Sequence, residues 1–333
     1  MKIAIIGAGA MAGALAIHFD RSGHSVAVCA TRFDGAILEA LRADRRHPTL
    51  GHSIPESVDI YDSRHWSKGF RRAEVAVLAV PSVGVLSTVT AALEHLSKTA
   101  IWAVASKGWV AGSGRPMSEF IAEVSPDHPV VVMVGPSLAW EIAAGTPTAL
   151  VCASKDAVAA HTVADALTDT SIRGFVSDDV AGVEVGAALK NVLAIAIGMC
   201  DGIADVKGRP MTNTKGALFS RGLLEMARMA VALGGREDTV LGLSGAGDLF
   251  LTVGGGRNGR FGKLIGTGLD PVKAFEQMGT TVEGFDNTRE AVLLAKRAGL
   301  RLPLVETAHS VLFGGADPEE AILDLLMKPI NDH

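Results

Sequence analysis

The sequence has few aromatic residues, little cysteine and no excess of positive charge, and each shortage excludes a class of protein. Aromatic residues make up 5% of the 333 residues, which counts against a surface that stacks single-stranded bases. The formal net charge is -5, so no broad basic surface for nucleic acid is predicted, and an anionic ligand must be held by local positive charge. No stretch approaches ~20 apolar residues without a charge, and therefore no membrane span is predicted.

The three cysteines, Cys29, Cys152 and Cys200, are scattered through apolar segments. Such cysteines are typical of reduced core thiols, and they predict a cytoplasmic protein. The N-terminus MKIAIIGAGAMAGALAIHF places one lysine before an apolar run, as a signal peptide does. The glycines of this run have a better explanation, given below. No metal site is predicted.

The chain divides into two patterns near residue 178. Before it, apolar runs typical of buried parallel strands alternate with helical patterns, which predicts a Rossmann-type doubly wound α/β domain over residues 1–178. After it, helical periods alone predict an all-helical domain over residues 179–333. The predicted strands are Ile3–Ile6, Ser25–Cys29, Glu74–Val80, Ile101–Ala105, Val130–Val134, Ala149–Ala153 and Ile172–Val176. The predicted helices of the second domain are Val183–Met199, Thr214–Leu233, Arg260–Gly266, Val272–Met278, Asn287–Ala298, Pro303–Phe313 and Glu319–Met327. A polar, basic stretch over Arg42–Arg72 is predicted to be loop-rich.

A glycine turn follows the first predicted strand, in IAIIGAGAMAGALA. Gly7 permits a tight turn, Gly9 lets the backbone approach a pyrophosphate, and Ala10, Met11 and Ala12 begin a helix whose N–H groups favour an anion. Because the turn joins a strand to a helix in a βαβ unit, it predicts dinucleotide binding.

The second strand ends in CATRFD, without an acidic residue directly after it. Arg32 suits a 2′-phosphate, so NADP(H) is favoured over NAD(H), although Asp34 two residues later keeps NAD(H) open. The alternative is a solvated surface arginine. The third strand ends in VLAVPS, where Pro81 is predicted to lie at the cofactor edge of the sheet or simply to end the strand.

Lys190 stands in the apolar helical run GAALKNVLAIAIG. An unpaired buried ammonium is costly, so such a lysine shifts its pKa or finds a partner. The alternative is that its head reaches water while its stem covers the core. Because Lys190 lies close to the predicted domain boundary, a ligand site between the domains is expected.

Seven further positions have the residue types of a phosphate-binding active site. Lys107 follows a strand in ASKGW, and Gly135 and Ser137 join a strand to a helix in VGPSLAWE, with Ser137 a possible N-cap. Asp248 lies in a short acidic turn, while Arg257 and Asn258 follow on a glycine loop suited to a phosphate clamp. Glu283 precedes a helix in TVEGF. Each has a plain structural reading as a surface charge or a cap.

The segments that carry a family resemblance are, in order, GAGAMAGALA, AVPS, SKG, GPSLAWE, GAALKNVLAIAIGMCDG, NTKGALFSRG, GAGDLFLT, GRN with RFG, and VEG. Through them the chain resembles the glycerol-3-phosphate dehydrogenase family over nearly its whole length. The resemblance implies that Lys190 is the general acid and base, and that Lys107 and Asp248 share its site. It implies substrate contacts for Lys107, Gly135, Ser137, Lys190, Asn191, Asp248, Thr252, Arg257 and Asn258. It implies cofactor contacts for Lys107, Ala139, Arg257 and Glu283, beside the glycine turn, Arg32 and Pro81.

The chemistry agrees with these roles. Reduction of dihydroxyacetone phosphate needs a proton for the developing alkoxide, and a desolvated lysine near Lys107 has its pKa drawn toward neutrality. Asp248 would orient that lysine and limit the shift. The resemblance also implies that the reduction feeds phospholipid synthesis, and a homodimer is predicted.

Two departures from the family pattern leave the exact substrate open. The link Asp201–Gly216 is several residues longer than expected, and SKGWVAGSG lacks the acidic residue that often follows SKG. A paralogue acting on another phosphorylated ketone or polyol is therefore one alternative. A β-hydroxyacid or ketopantoate-type reductase is disfavoured by GPS and GRN. A non-enzymatic dinucleotide sensor is disfavoured by the presence of Lys190 and Asp248.

Overall fold

A computed structural model describes residues 1–327 of the chain. It forms two compact units, one made of Met1–Ser106 and Pro116–Val180, the other of Lys107–Arg115 and the chain from Ala181 onward. The segment Lys107–Arg115 lies within the predicted first domain in sequence but clusters with the second unit. Contacts to a distant helix, described below, account for this difference, and no local pattern encodes them.

The first unit is built on one eight-stranded sheet. In spatial order its strands are β10 (Ile172–Ser177), β9 (Thr148–Ala153), β8 (Val130–Val134), β5 (Ile101–Val104), β4 (Val75–Leu78), β1 (Lys2–Ile6), β2 (Ser25–Cys29) and β3 (Asp59–Tyr61). A separate pair consists of β6 (Trp109–Val110) and β7 (Arg115–Pro116). The seven predicted strands and the Rossmann-type sheet are confirmed.

Neighbouring strands of the large sheet are parallel, except that β8 and β9 are antiparallel. The prediction of parallel strands is wrong for this pair. An apolar run records burial on both faces but carries no information on strand direction. The short polar strand β3 lies in the stretch Arg42–Arg72, which was predicted as loop.

The helices of the first unit are α1 (Ala10–Arg21), α2 (Gly35–Asp44), α3 (Trp66–Gly69), α4 (Val85–Ala92), α5 (Met117–Val124), α6 (Ala139–Ala144) and α7 (Ala157–Leu167), with short 3-10 turns at Ser63–His65, Ser82–Gly84 and Leu93–His95. Leu15 and Phe19 of α1 pack with Ile3 and Ile5 of β1 in the core of this unit. This packing fixes the turn between β1 and α1.

Apart from the segment Lys107–Arg115, the described part of the second unit is helical, as predicted. Its helices are α8 (Val180–Lys207), α9 (Thr212–Ala232), α10 (Glu237–Leu241), α11 (Asp248–Val253), α12 (Arg257–Gly266), α13 (Pro271–Met278), α14 (Glu283–Arg297), α15 (Pro303–Gly314) and α16 (Pro318–Met327), with a π-helical turn at Leu243–Gly247. The seven predicted helices are confirmed. The prediction that Arg257 and Asn258 lie on a glycine loop is wrong, because they are the first residues of α12.

Helix α8 is the centre of the second unit. It is long and apolar enough to cross a membrane by composition, but 94% of its most apolar window is buried inside the protein. Leu189, Leu193 and Ile197, the predicted apolar stripe, are fully buried, and so are the residues between them. A helix buried on all sides is a core helix.

Glycines bring the backbones of α8 and α12 into direct contact. A Cβ atom at Gly198 or Gly202 of α8 would collide with α12 backbone, and one at Gly262 or Gly266 would collide with α8 carbonyl groups. Only helices with small residues at the crossing approach this closely. The contact fixes the position of the first turn of α12 relative to the middle of α8.

Candidate active site

A carboxylate bridges two lysines in the second unit. Lys190 Nζ donates to Asp248 Oδ1 over 2.6 Å, and Lys107 Nζ donates to Asp248 Oδ2 over 2.7 Å. Lys190 also donates to Thr252 Oγ1 over 3.2 Å, and that hydroxyl donates to the Asp248 carbonyl oxygen. The side chains of Lys190 and Asp248 are 6% and 1% exposed, so the predicted alternative in which Lys190 reaches water is wrong.

Burial sets the proton affinity of Lys190. Desolvation lowers the pKa of Lys190 to about 8, since the ammonium loses water. Asp248 opposes the shift by attraction, and Lys107 adds to it by repulsion. Lys190 therefore gains and loses a proton near physiological pH, as an acid and base must.

Asp248 begins α11 directly after the π-helical turn. It was predicted to lie in a short acidic turn, with helix capping as the plain structural alternative. Gly247, not Asp248, is the N-cap of α11, and both Asp248 carboxylate oxygens accept from lysines. The carboxylate is thus committed to the ammonium groups.

Two asparagines join three helices beside these charges. Asn258 Nδ2 donates to Asn191 Oδ1 over 2.8 Å, and Gly284 N donates to Asn258 Oδ1 over 3.0 Å. Asn191 Nδ2 donates to Glu283 Oε2 over 3.4 Å. Burial raises the pKa of Glu283, while Arg257 and the two lysines lower it by attraction. These contacts bring α8, α12 and α14 together as one rigid wall.

Arg257 lies at the exposed start of α12. The N-cap of this helix is Gly256, and no side chain of the described residues caps it. The N–H groups of the first turn and the arginine side chain therefore belong to the same end of the helix, an arrangement that suits a phosphate. Eight of the predicted site residues thus lie in the second unit, linked by contacts or by electrostatic interaction. They are Lys107, Lys190, Asn191, Asp248, Thr252, Arg257, Asn258 and Glu283.

The glycine turn of the first unit has the geometry that a dinucleotide needs. Gly7 has a φ of +107°, and a Cβ there would lie 2.6 Å from the Ala79 carbonyl oxygen, so only glycine fits. A Cβ at Gly9 would meet nothing within 4 Å. Gly9 is the N-cap of α1, and no described side chain caps that helix. Ala10, Met11 and Ala12 form the first turn of α1, so the N–H groups of that turn lie beside the open space at Gly9.

The end of β2 presents Arg32 to solvent. The Arg32 guanidinium lies 4.7 Å from the Phe33 ring centre. Asp34 Oδ2 accepts from both the N–H and the hydroxyl of Thr31, over 2.7 and 2.6 Å. The carboxylate that would favour a ribose hydroxyl is therefore engaged with its own turn, while the guanidinium is accessible.

Four further predicted residues lie near the ends of strands and helices in the first unit. Gly135 follows β8 with a φ of +153°, and Ala139 begins α6. The prediction of Ser137 as an N-cap is wrong, because Leu138 holds that position and Ser137 Oγ donates to the Gly135 carbonyl oxygen over 2.8 Å. Pro81 precedes a 3-10 turn, three residues after β4 ends. Their ligand contacts stay predictions.

One buried residue beside the glycine turn escaped the sequence analysis. His47 Nε2 lies 2.9 Å from the Ala8 carbonyl oxygen, and Thr49 N donates to His47 Nδ1 over 3.3 Å. Because Nδ1 accepts, Nε2 carries the proton and donates to Ala8. A Cβ at Gly13 would crowd the imidazole at 2.8 Å. Nothing in the local pattern of Arg42–Arg72 indicates this long-range contact.

Comparisons with known proteins agree over both units. The family model described as "NAD-dependent glycerol-3-phosphate dehydrogenase N-terminus" matches residues 2–160, and the corresponding C-terminus model matches residues 179–323. Glycerol-3-phosphate dehydrogenase [NAD(P)+] of Thiobacillus denitrificans is 37% identical over 99% of both chains. The Desulfitobacterium hafniense protein of the same name is 35% identical, over 98% of this chain and 91% of its own.

Solved structures give the same result. The crystal structure of glycerol-3-phosphate dehydrogenase from Coxiella burnetii has a TM-score of 0.90 at 31% identity, over 98% of this chain and 99% of that one. The 2-dehydropantoate 2-reductase from Methylococcus capsulatus has a TM-score of 0.59 at 15% identity, over 99% of both chains. The second likeness concerns the fold alone.

Proposed function

This chain belongs to the NAD-dependent glycerol-3-phosphate dehydrogenase family and interconverts sn-glycerol 3-phosphate and dihydroxyacetone phosphate with NAD(P)(H); we propose that Lys190 is the general acid and base of this reaction. The observation that carries the proposal is the buried Lys190–Asp248 pair, with its 2.6 Å contact. A buried lysine with a lowered pKa and a carboxylate partner is suited to proton transfer.

When bound, the reduced nicotinamide supplies the hydride that the carbonyl carbon of the substrate accepts. Lys190 as an ammonium polarises the carbonyl oxygen and donates its proton to the alkoxide that forms. In the reverse direction the neutral amine accepts the proton of the alcohol. Asp248 Oδ1 and Thr252 Oγ1 fix the direction of the Lys190 side chain, and Asp248 keeps the ammonium accessible at neutral pH.

The phosphate of the substrate is proposed to lie at the start of α12. Arg257 offers a bidentate guanidinium there, and the uncapped N–H groups of the first turn add a positive dipole end. Asn258 is held by Asn191 and Gly284, so its amide group is already oriented. Lys107 adds a second positive charge to the same wall.

The glycine turn of the first unit is proposed to hold the pyrophosphate of the cofactor, on the strength of the open space at Gly9 and the uncapped start of α1. We propose a preference for NADP(H), because Arg32 is accessible while Asp34 is engaged by Thr31. The three free cysteines are buried, which supports a reducing, cytoplasmic location.

The test measures oxidation of NADPH and NADH with dihydroxyacetone phosphate, for the wild type, Lys190→Ala and Arg32→Ala. Loss of one acid/base group is expected to lower kcat by about 100-fold or more, with cofactor binding retained. Arg32→Ala is expected to lower the NADPH-to-NADH ratio of kcat/KM by about tenfold, the worth of one charge-assisted hydrogen bond. A Lys190→Ala protein with wild-type kcat would contradict the acid/base role, and an unchanged ratio would contradict the role of Arg32.

A further inference from the structure

The segment Lys107–Arg115, called here the Lys107 loop, rests on one face of α14. Gly112 N donates to Glu290 Oε1 over 2.7 Å, and Arg297 Nη1 donates to the Ser113 carbonyl oxygen over 2.8 Å. The backbone of Gly108 lies against Asn287, whose Nδ2 would be 2.9 Å from an added Cβ. Three turns of α14 therefore support a loop that begins with Lys107.

The contact between the Lys107 loop and α14 contains every buried side-chain polar atom of residues 1–327 that lacks a hydrogen-bond partner. They are Trp109 Nε1, Asn287 Nδ2 and Glu290 Oε2. Such atoms are costly, and each one in a folded protein calls for an explanation. Glu290 belongs to this set and also accepts from the loop through its other oxygen, Oε1.

The loop has hydrogen bonds of its own, from Ser113 N and Ser113 Oγ to the Val110 carbonyl oxygen and from Arg115 N to Ser113 Oγ, and none of these three includes Lys107. Gly108, Gly112 and Gly114 have φ angles of +115°, +78° and +64°, conformations in which glycine loses more freedom than other residues on ordering. The segment SKGWVAGSGRP contains no acidic residue. Of the Gly112–Glu290 and Ser113–Arg297 hydrogen bonds, the first lies nearer to Lys107 in sequence.

We propose that Glu290 is a positioning residue, which holds the Lys107 loop through the Gly112 N–H so that the Lys107 ammonium lies against Asp248. Glu290 does not touch the reacting atoms itself. It acts through Lys107, whose charge affects both phosphate binding and the proton affinity of Lys190. Its catalytic consequence rests on the proposed function, while its effect on the position of Lys107 does not.

The first measurement does not depend on activity. Lys107 is labelled with an amine-reactive reagent, and the modified peptide is quantified by mass spectrometry, with the exposed Lys98 of the first unit as the internal reference. In the wild type the Asp248 contact slows labelling of Lys107, whose side chain is 13% exposed. We expect Glu290→Ala to raise the Lys107-to-Lys98 labelling ratio by about fivefold or more, because the loop loses its hydrogen bond to α14.

Three variants separate the hydrogen bond from other effects. Glu290→Gln keeps an oxygen that accepts from Gly112 and is expected to label like the wild type. Glu290→Asp keeps the charge and most of the volume but withdraws the carboxylate oxygen from Gly112 N, so it is expected to label like Glu290→Ala. It replaces Glu290→Ala in the test if that variant does not fold. Asp286→Ala removes another carboxylate of α14, one whose near partner is Arg289 at 4.0 Å, and is expected to change nothing.

The second measurement is the kinetics with dihydroxyacetone phosphate. Glu290→Ala and Glu290→Asp are expected to lose about ten- to 100-fold in kcat/KM, since a misplacement of about 1 Å has effects of this size. The basic limb of their pH profile is expected to move to higher pH, because Lys107 no longer repels the Lys190 proton. Asp248, Glu283 and Arg257, the other charged groups near Lys190, are unchanged in every variant.

The outcomes are distinct. Wild-type labelling in both Glu290→Ala and Glu290→Asp overturns the proposal, and so does a Glu290→Gln protein as impaired as Glu290→Asp. If the labelling ratio rises but the wild type does not reduce dihydroxyacetone phosphate, the proposed function is wrong and the positioning of Lys107 by Glu290 stands.

Discussion

Replacing Lys107 by methionine is expected to move the pH dependence of the reduction to higher pH. Protonated Lys190 is the form proposed to donate to the alkoxide, so kcat/KM for dihydroxyacetone phosphate is expected to fall as the pH rises through the pKa of Lys190, at about 8. Lys107 lowers that pKa by repulsion. Methionine removes the charge, keeps much of the side-chain volume and therefore raises the pKa.

The geometry gives the size of the shift. The two ammonium nitrogens contact different oxygens of the Asp248 carboxylate, over 2.6 and 2.7 Å. At a separation of roughly 4 to 5 Å and an effective dielectric constant of about 20, two unit charges repel by about 3 to 4 kcal/mol. Since one pKa unit corresponds to about 1.4 kcal/mol, the upper limit is about 2 to 3 units, and solvent screening of Lys107, whose side chain is 13% exposed, leaves a shift of about 1 to 2 units.

The assay is the pH profile of kcat/KM with NADPH, recorded for the wild type, Lys107→Met and Lys107→Arg. Lys107→Met also loses the proposed contact of Lys107 with the substrate, which is expected to lower the whole profile without moving its midpoint. Lys107→Arg keeps the positive charge, and its midpoint is expected to stay near that of the wild type. A Lys107→Met midpoint equal to that of the wild type, or equal shifts in both variants, would refute the electrostatic account.

Two further predictions concern stability and are checked by urea unfolding. Gly262→Ala places a Cβ against the Ile195 carbonyl group and is expected to lower the free energy of unfolding by about 1 to 3 kcal/mol. The control is Gly216→Ala on α9, where an added Cβ meets nothing within 4 Å. This control is expected to leave the free energy of unfolding unchanged or to raise it. Equal effects of the two would contradict the account of the α8–α12 contact. Glu225→Ala removes the buried carboxylate that accepts from Leu304 N and Val305 N over 2.6 and 3.1 Å, and is expected to cost about 2 to 4 kcal/mol by leaving the start of α15 uncapped. An unchanged midpoint in Glu225→Ala would show that water satisfies these amide groups.

Periodicity and glycine signals were sufficient for most of the fold. Every predicted strand and every predicted helix of the second domain exists, because each is either a continuous buried run or a long helical pattern. The antiparallel β8–β9 pair was not predictable, since a strand buried on both faces has the same apolar pattern in either direction. Helix α11 and the π-helical turn before it were missed because glycines make up much of LSGAG and weaken the helical pattern there.

The candidate site was also predictable only in part, because local sequence patterns do not encode long-range contacts. Lys190 was recognisable because a charge interrupts an apolar helix, and Arg257 because it follows three glycines. The partners that tune these residues lie far away in sequence: Asp248 is 58 residues from Lys190, and Glu290 is 178 residues from Gly112. Asp248 was recognisable as a candidate but its lysine partners were not readable from its own segment, and Glu290 has no local signal, since an isolated carboxylate is usually a solvated surface charge.

The bridging position of Asp248 explains why the site contains two lysines and not one. A single lysine buried beside a carboxylate would be held protonated by attraction, and it would donate its proton reluctantly. A single lysine buried without the carboxylate would lose its proton below neutral pH and could not polarise a carbonyl. Asp248 raises the pKa of Lys190 while Lys107 and burial lower it, so the balance lies at about 8. A phosphate dianion bound at its proposed site near Lys107 and Arg257 would add negative charge to this balance and raise the proton affinity of Lys190 at the moment when the proton is needed.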